Sequence, residues 1–289
     1  MKNTAAEPIN QPAHMQGSAL WFRQLSAALR IELGKCLFTK RALLSYILAL
    51  MPVLLFVMTA IGTAYGWVNG ITSAEQARHI YGDVFSTLIL GGVIFLGSAA
   101  VFTSLFRGEI LDRSMHYYIL TPVRREILVV AKYLAGLSAC IILFGLSTLL
   151  SFFAMYIAFG TDQLISDLSS GIALSHTGLY LGIVLLACMG YGSVFIATGL
   201  LFRNPFIPII AIAAWEALHF ILPPSLKIFS VIYYLKGLLP IPLDEGALAV
   251  IVAPPPVWVS VCGMLALSAV TVSGSIFLLK RLQVHYSGE

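Results

Sequence analysis

Residues 133–161 read YLAGLSACIILFGLSTLLSFFAMYIAFGT and contain no Asp, Glu, Lys or Arg. A helix needs about 20 apolar residues to cross the roughly 30 Å hydrocarbon core of a bilayer, so this run is long enough. Four other stretches are equally free of charge: 42–74, 84–106, 168–202 and 246–279. Only 10% of the residues are charged, whereas soluble globular proteins have about 25%. The sequence therefore predicts an all-α, polytopic membrane protein and excludes an ordinary water-soluble domain.

Six membrane-spanning helices are predicted within a transmembrane domain at 42–282. They cover about 42–61, 84–106, 128 or 133 to 159, 179–201, 208–222 and 257–279. The segment between the last two, 223–256, is too apolar for a free loop and is interrupted by prolines such as Pro240 and Pro242. This pattern predicts short re-entrant helices in the outer leaflet.

The residues before the first span have a different pattern. Apolar side chains recur at helical spacing within 19–41, at Phe22, Leu25, Leu29 and Leu33. Basic residues are interspersed, which is typical of an amphipathic helix that lies along the membrane surface. We therefore expect an interfacial (elbow) helix at 19–41. The polar ends are predicted to be cytoplasmic tails, and the first of them, 1–18, is predicted to be disordered, while the second covers 283–289.

Basic residues are distributed unevenly between the two sides of the predicted membrane domain. Of the 17 Lys and Arg residues, only Arg78, Lys227 and Lys236 fall in segments on one side. The positive-inside rule places the Lys- and Arg-rich side in the cytoplasm. Both termini and the connection between the second and third spans are therefore predicted to be cytoplasmic, in a plasma (inner) membrane.

That connection is the only sizeable charged block between predicted spans. Residues 107–132 read RGEILDRSMHYYILTPVRREILVVAK. Apolar residues recur at helical spacing at Ile110, Leu111, Met115, Tyr118 and Ile119. Pro122 disfavours helix at the residue before it and so ends this short helix, after which Arg124 and Arg125 begin the next one. The block is therefore predicted to face a soluble partner.

The same block resembles the ABC-2 type family of ABC transporter permeases. The resemblance rests on Glu109, Ser114-Met115, Leu120, Pro122-Val123, Arg124-Arg125 and Lys132, at the spacing that is typical of the family. Asp112-Arg113 and Ala131 depart from the family pattern. The order of a surface helix, six spans and cytoplasmic termini is also similar to that family.

The resemblance implies that residues 107–127 are a coupling segment, which binds a separate ATP-hydrolysing ABC subunit. The residues that it assigns to this contact are Glu109, Asp112, Arg113, Met115, Tyr117, Tyr118, Pro122, Arg124 and Arg125. It also implies a second permease copy, or a related permease chain, and an exporter embedded in membrane lipid. The sequence has no GxxxxGK[ST] motif, so ATP and Mg²⁺ are expected on the partner and no cofactor is expected in this chain.

Glu216 and His219 share one face of the predicted fifth span, three residues apart. Ionisable residues in a span are candidates for a translocation path, so an ion-coupled carrier is an alternative function. A local polar pair near the outer interface is the simpler interpretation. A membrane-embedded enzyme is a third hypothesis, but the sequence has no HExxH or GxSxG motif. No catalytic residue, metal site or nucleic-acid partner is predicted.

Overall fold

Helices account for nearly all of the part of the chain that the structure describes. The structure is a computed structural model that describes residues 18–67, 74–111, 124–157, 161–202, 204, 206–219, 221–241 and 255–281. No β-strand occurs in these ranges. The helices are α1 Ser18–Phe38, α2 Leu43–Ala64, α3 Ala74–Val84, α4 Phe95–Leu111, α5 Arg125–Ile157, α6 Thr161–Ser169, α7 Ile172–Leu201, α8 Phe206–Ala217, α9 Pro224–Lys227, α10 Val231–Lys236 and α11 Val257–Arg281.

Five helical stretches in the described ranges are long and apolar enough to cross a membrane. They are α2, the rod that contains α3 and α4, α5, α7 and α11. Helices α2 and α11 expose many large apolar side chains on their outer surfaces. Such surfaces are unfavourable in water and agree with a surrounding bilayer. The prediction of an all-helical, multi-pass membrane protein is therefore confirmed.

The two longest of these stretches clearly exceed the length that a bilayer requires. A ten-residue π-helical stretch, Phe85–Ile94, joins α3 to α4 without a break. The resulting rod spans Glu75–Glu109, which corresponds to a length of about 50 Å. Helix α5 has 33 residues and is similarly long. Since the hydrocarbon core is roughly 30 Å thick, both are too long to lie wholly within it.

The interior is built around α5 and α7, which pack on each other. Helices α1 and α2 pack against α5, whereas α4 and α11 pack against α7. Glycine allows the closest of these contacts. A Cβ atom added to Gly192 of α7 would lie 2.4 Å from the ring of Phe102 in α4, and Phe102 is fully buried. The α4–α7 contact therefore requires Gly at position 192.

The two ends of the helix bundle are marked by different ion pairs. At one end, which we call the charged end, Glu109 at the end of α4 pairs with Lys132 near the start of α5. At the opposite end, the Arg78 guanidinium lies 2.8 Å from the Asp167 carboxylate. The Tyr156 hydroxyl near the end of α5 donates a hydrogen bond to the same carboxylate. Helix α5 therefore runs from the charged end to the opposite end, and α4 runs the other way.

Helices α7 and α11 both run toward the charged end. Arg125, at the start of α5, donates hydrogen bonds to the carbonyls of Leu279 and Lys280 at the end of α11. Gly199, near the end of α7, lies against the backbone of Thr103 in α4. Two successive long helices with the same direction require the chain to return between them.

The return path lies within residues 206–241. Ile241 lies beside Gly82 of α3, near the opposite end, whereas α7 ends at the charged end. The first part of this path is α8, whose 12 residues correspond to about 18 Å. The predicted fifth span at 208–222 thus coincides with a helix that is too short to cross a bilayer alone. It is followed by turns and by α9 and α10.

Several predicted segments fall wholly or partly outside the described residues. These are 1–17 of the N-terminal tail, the C-terminal tail from 282 onward, 112–123 of the coupling segment and 242–254 of the outer segment. The predicted interfacial helix at 19–41 corresponds to α1 and to the short 3-10 turn Lys40–Ala42.

A buried charge cluster as the candidate functional site

Helix α1 positions two charged residues against the bundle. Glu32 and Lys35 are one helical turn apart, and Glu32 lies in the row of residues, with Leu25, Leu29 and Cys36, that faces α5. Glu32 is almost fully buried, although its neighbours in this row are apolar. A carboxylate in such a position requires a cation nearby, because an unpaired buried charge is very costly.

That cation is Lys132, which is fully buried at the charged end of the bundle. Its ammonium nitrogen lies 3.0 Å from Oε2 of Glu32 and 2.8 Å from Oε1 of Glu109. The same nitrogen donates a hydrogen bond to the carbonyl of Leu105, at 3.0 Å. Lysine has three N–H donors, and these three oxygens match that number.

Lys35 completes the arrangement from its more exposed side. Its ammonium nitrogen lies 2.8 Å from Oε1 of Glu109 and 3.2 Å from Oε1 of Glu32. We refer to Glu32, Lys35, Glu109 and Lys132 as the four-charge cluster. It contains two carboxylates and two ammonium groups, and its formal net charge is zero. Each charge has opposite charges beside it, which is how a buried ionic group is tolerated.

The four-charge cluster joins three separate parts of the chain. Glu32 and Lys35 come from α1, Glu109 from the end of α4, and Lys132 from the second turn of α5. The 112–123 segment joins the end of α4 to the start of α5, and each of these two helices contributes one residue to the cluster. A force on that segment would act on all three helices, since the pairs between them cannot be separated cheaply.

A second connection links the start of α5 to the end of α11. Arg125 donates hydrogen bonds of 3.2 and 3.0 Å to the carbonyls of Leu279 and Lys280. The last carbonyls of a helix have no partner within it, so a guanidinium there stabilises the helix end. Glu126 also pairs with Lys280, but both side chains are about half exposed. Exposed ion pairs of this kind contribute roughly 0–1 kcal/mol.

Three of the nine residues predicted for the coupling segment are described by the structure. Glu109 is buried in the four-charge cluster, while Arg124 and Arg125 are exposed at the same end of the bundle. Glu109 is therefore buried within this chain, whereas the two arginines are on its surface. Asp112, Arg113, Met115, Tyr117, Tyr118 and Pro122 lie outside the described residues.

Glu216 and His219 are both buried, at the end of α8 and in the turn that follows. The Glu216 carboxylate accepts hydrogen bonds from the Ser230 hydroxyl at 2.7 Å and from the backbone N–H groups of Val231 and Ile232, at 2.9 and 3.1 Å. These donors are at the start of α10, so Glu216 satisfies N–H groups that have no partner within that helix. The contact holds the end of α8 against α10.

Glu32 and Lys35 are not among the site residues predicted from the sequence, and Lys132 was predicted without a partner. One feature of the sequence indicates that Glu32 is buried. It lies in an apolar helical row, three residues after Leu29 and four residues before Cys36. A charge in an apolar row indicates a buried partner of opposite sign. Among the described residues, no three His, Cys, Asp or Glu side chains come together as metal ligands.

Cys36 provides a chemical test of this packing, since it lies beside Glu32 and Lys132 and is buried. Burial, with a smaller contribution from the charge of Glu32, raises the pKa of the Cys36 thiol to about 12, although the ammonium groups of Lys132 and Lys35 oppose this rise. Because the thiolate is the reactive form, we expect alkylation at pH 8 to be on the order of a thousandfold slower than that of a model thiol.

The measurement is treatment of the folded protein in detergent with a water-soluble maleimide, followed by mass spectrometry of the Cys36 peptide. A parallel sample that is denatured before treatment is the control, and its Cys36 should be fully modified. Fast modification of Cys36 in the folded protein would contradict the packing of α1 on α5.

The sequence matches no model of a known protein family, and no curated protein matches it either.

Proposed function

We propose that this chain is the membrane-spanning permease subunit of an ATP-driven ABC exporter. In this proposal a separate ATPase subunit binds the coupling segment, residues 107–127, on the cytoplasmic side. The observation that carries the proposal is the four-charge cluster, which joins α1 to the two long helices, α4 and α5, that this segment connects.

A coupling element must transmit movement to the membrane helices. A loop whose ends are held only weakly would move without moving those helices. Here Glu109 is two residues before the end of α4, and Lys132 is in the second turn of α5. Their ion pair is buried, and separating it would expose two charges to an apolar surrounding. Movement of the segment by ATP-driven closure of the partner would therefore tilt two membrane helices and α1 together.

The proposal includes six crossings of the membrane. Its support is the shared direction of α7 and α11, together with the return of the chain between them through residues 206–241. We propose that α8, α9 and α10 together form this additional crossing as a broken helical unit. Irregular backbone is acceptable at membrane depth where it is buried in protein, and α10 packs against α7 and α11.

An even number of crossings places both termini on one side. The basic residues of α1, of the coupling segment and of the end of α11 are then all cytoplasmic, as the positive-inside rule requires in a plasma membrane. Helix α1 would lie in the interface as an elbow helix. A second permease copy, or a related chain, would complete the transporter, and ATP and Mg²⁺ would bind to the ATPase partner.

The alternative of an ion-coupled carrier would use Glu216 and His219. Both carboxylate oxygens of Glu216 accept hydrogen bonds from Ser230, Val231 and Ile232 within this chain. That geometry favours a structural role for Glu216 in the broken crossing, and it gives the carrier hypothesis no additional support.

The test is purification of the tagged chain from native membranes in mild detergent, with Arg124→Glu as the variant. Arg124 is exposed at the start of α5, and reversal of its charge should weaken a charged interface by about tenfold. We expect a soluble ATPase with Walker motifs to elute with the wild-type protein and to be depleted by about that factor in the variant.

Arg281→Glu is the matched control, because Arg281 is also exposed, at the end of α11 on the same side of the bundle. It should retain the ATPase. The proposal is contradicted if no ATPase elutes with the wild-type protein, or if the purified chain alone transports in response to a proton gradient.

A further inference from the structure

The side of α1 that faces away from the four-charge cluster is exposed and basic. Arg23 and Arg30 are both exposed and lie seven residues apart, which places them on the same face two turns from each other. Among the described residues, neither forms an ion pair. The single carboxylate of α1, Glu32, is on the buried side and is already paired with Lys132. This face therefore has uncompensated positive charge.

Large apolar side chains flank these arginines. Phe22, Ile31 and Phe38 are 62%, 58% and 87% exposed. Such side chains are unfavourable in water, and combined with basic residues on one helix they are typical of contact with the boundary between headgroups and acyl chains. Helix α1 is followed after a single 3-10 turn by α2, which enters the membrane and exposes Leu43 and Leu44. The bilayer surface is thus adjacent to this face.

We propose that the exposed face of α1 is a binding site for anionic phospholipid. Arg23 and Arg30 bind the phosphate groups of the headgroups, and Ile31 and Phe38, which share the neighbouring face of the helix, insert among the upper acyl chains. Guanidinium groups suit this task because they form paired hydrogen bonds with phosphate oxygens.

The lipid site and the four-charge cluster are on opposite sides of the same helix. Lipid that binds the outer face holds α1 against the bundle, and this position is the one in which Glu32 and Lys35 reach Lys132 and Glu109. Anionic lipid is therefore expected to stabilise the fold. The inference rests on the proposed position of α1 at the interface, but it does not depend on the ATPase partner.

The test compares thermal unfolding of the purified chain in two kinds of nanodisc. One contains phosphatidylcholine alone, and the other contains roughly one third phosphatidylglycerol. For the wild-type protein we expect an unfolding midpoint about 5 °C higher in the anionic discs. Arg23→Gln/Arg30→Gln should lose most of this difference, whereas Arg23→Lys/Arg30→Lys should keep much of it.

The matched control is Arg124→Gln/Arg281→Gln, which removes two exposed cations from the same end of the bundle. It should keep the wild-type difference between the two discs. An equal loss in this control would show a general effect of charge and would overturn the proposal. So would an unchanged difference in Arg23→Gln/Arg30→Gln.

A further arm separates lipid from free phosphate groups. Soluble glycerol phosphate is added to the wild-type protein in phosphatidylcholine discs, and we expect no rise in the midpoint. A rise equal to that produced by phosphatidylglycerol would assign the site to a soluble anion and overturn the proposal. Failure of the ATPase to elute with the chain, with the lipid effect intact, would affect only the proposed function.

Discussion

Replacement of Lys132 by Met is expected to lower the free energy of unfolding by about 3–5 kcal/mol. Methionine fills a similar volume but leaves Glu32 and Glu109 buried with only Lys35 between them. Lys132 is 0% exposed, so water cannot replace the lost ammonium group without disrupting the packing of α1 on α5. The carbonyl of Leu105 also loses its hydrogen bond from the side chain.

The measurement is reversible unfolding of the purified chain in mixed detergent micelles, followed by circular dichroism. Lys280→Met is the matched control, since Lys280 forms its ion pair with Glu126 while 51% exposed. We expect it to change stability by less than about 1 kcal/mol. Glu109→Gln/Lys132→Met removes one charge of each sign and should recover about 1–3 kcal/mol relative to Lys132→Met alone. A loss in Lys132→Met as small as that in the control would contradict the buried cluster.

Replacement of Gly192 by Ala is expected to destabilise the protein by about 1–3 kcal/mol through overpacking. The added Cβ would lie 2.4 and 2.5 Å from two carbons of the Phe102 ring. Phe102 cannot rotate away easily, because it is fully buried between α4, α7 and the start of α5, near Gly136 and Tyr133. Helices α4 and α7 must therefore move apart.

Gly182→Ala is the matched control on the same helix, because a Cβ at position 182 meets no atom within 4 Å. There the higher helix propensity of Ala should leave stability unchanged or raise it by up to about 1 kcal/mol. The same unfolding measurement applies to both variants. Phe102→Leu should restore part of the stability of Gly192→Ala, since Leu lacks the ring edge. Equal effects at positions 182 and 192 would contradict the close contact between α4 and α7.

The membrane-crossing helices could be predicted because their signal is local. A charge-free run as long as 133–161 satisfies its backbone hydrogen bonds in a bilayer by forming a helix. Helix α5, at Arg125–Ile157, covers most of this run. The starts of the helices were harder to predict, because several helices begin with polar or charged turns that precede the apolar run. The rod that contains α3 and α4 begins at Glu75, nine residues before the predicted start of this span at 84. Its first helix, α3, is polar, but it continues without a break through the π-helical stretch into α4.

The four-charge cluster could not be predicted, because its pairs join residues that are distant in sequence. Glu32 and Lys132 are 100 positions apart, and no local pattern relates them. The predicted site residues Glu109, Arg124 and Arg125 were chosen from the coupling motif, which places them near one another along the chain. Only the packing of α1 on α5 showed that Glu109 belongs to a buried cluster while the two arginines remain outside it.

The short α8 also has a physical explanation. Its apolar residues continue to Leu222, so composition alone favours a span at 208–222. The α-helix nevertheless ends at Ala217, where the Glu216 carboxylate accepts hydrogen bonds from the start of α10. Pro223 and Pro224 then prevent a continuous helix. A tertiary contact and two prolines therefore end α8 within the predicted span, and α9 and α10 lie in the following segment, 223–256, for which short helices were predicted.

The proposed function requires that the coupling segment lies in the cytoplasm and is bound there by a soluble ATPase. Its most direct test is photo-cross-linking in intact cells from a photoreactive amino acid at Tyr117 or Tyr118, with Trp67 as the control. Trp67 is exposed after α2 and lies toward the opposite end of the bundle.

We expect positions 117 and 118 to cross-link to a soluble protein with Walker motifs, and position 67 to give no such product. Cross-linking from positions 117 and 118 to extracellular or membrane proteins alone would contradict the account. So would labelling of a cysteine at position 117 by a membrane-impermeant reagent added outside intact cells.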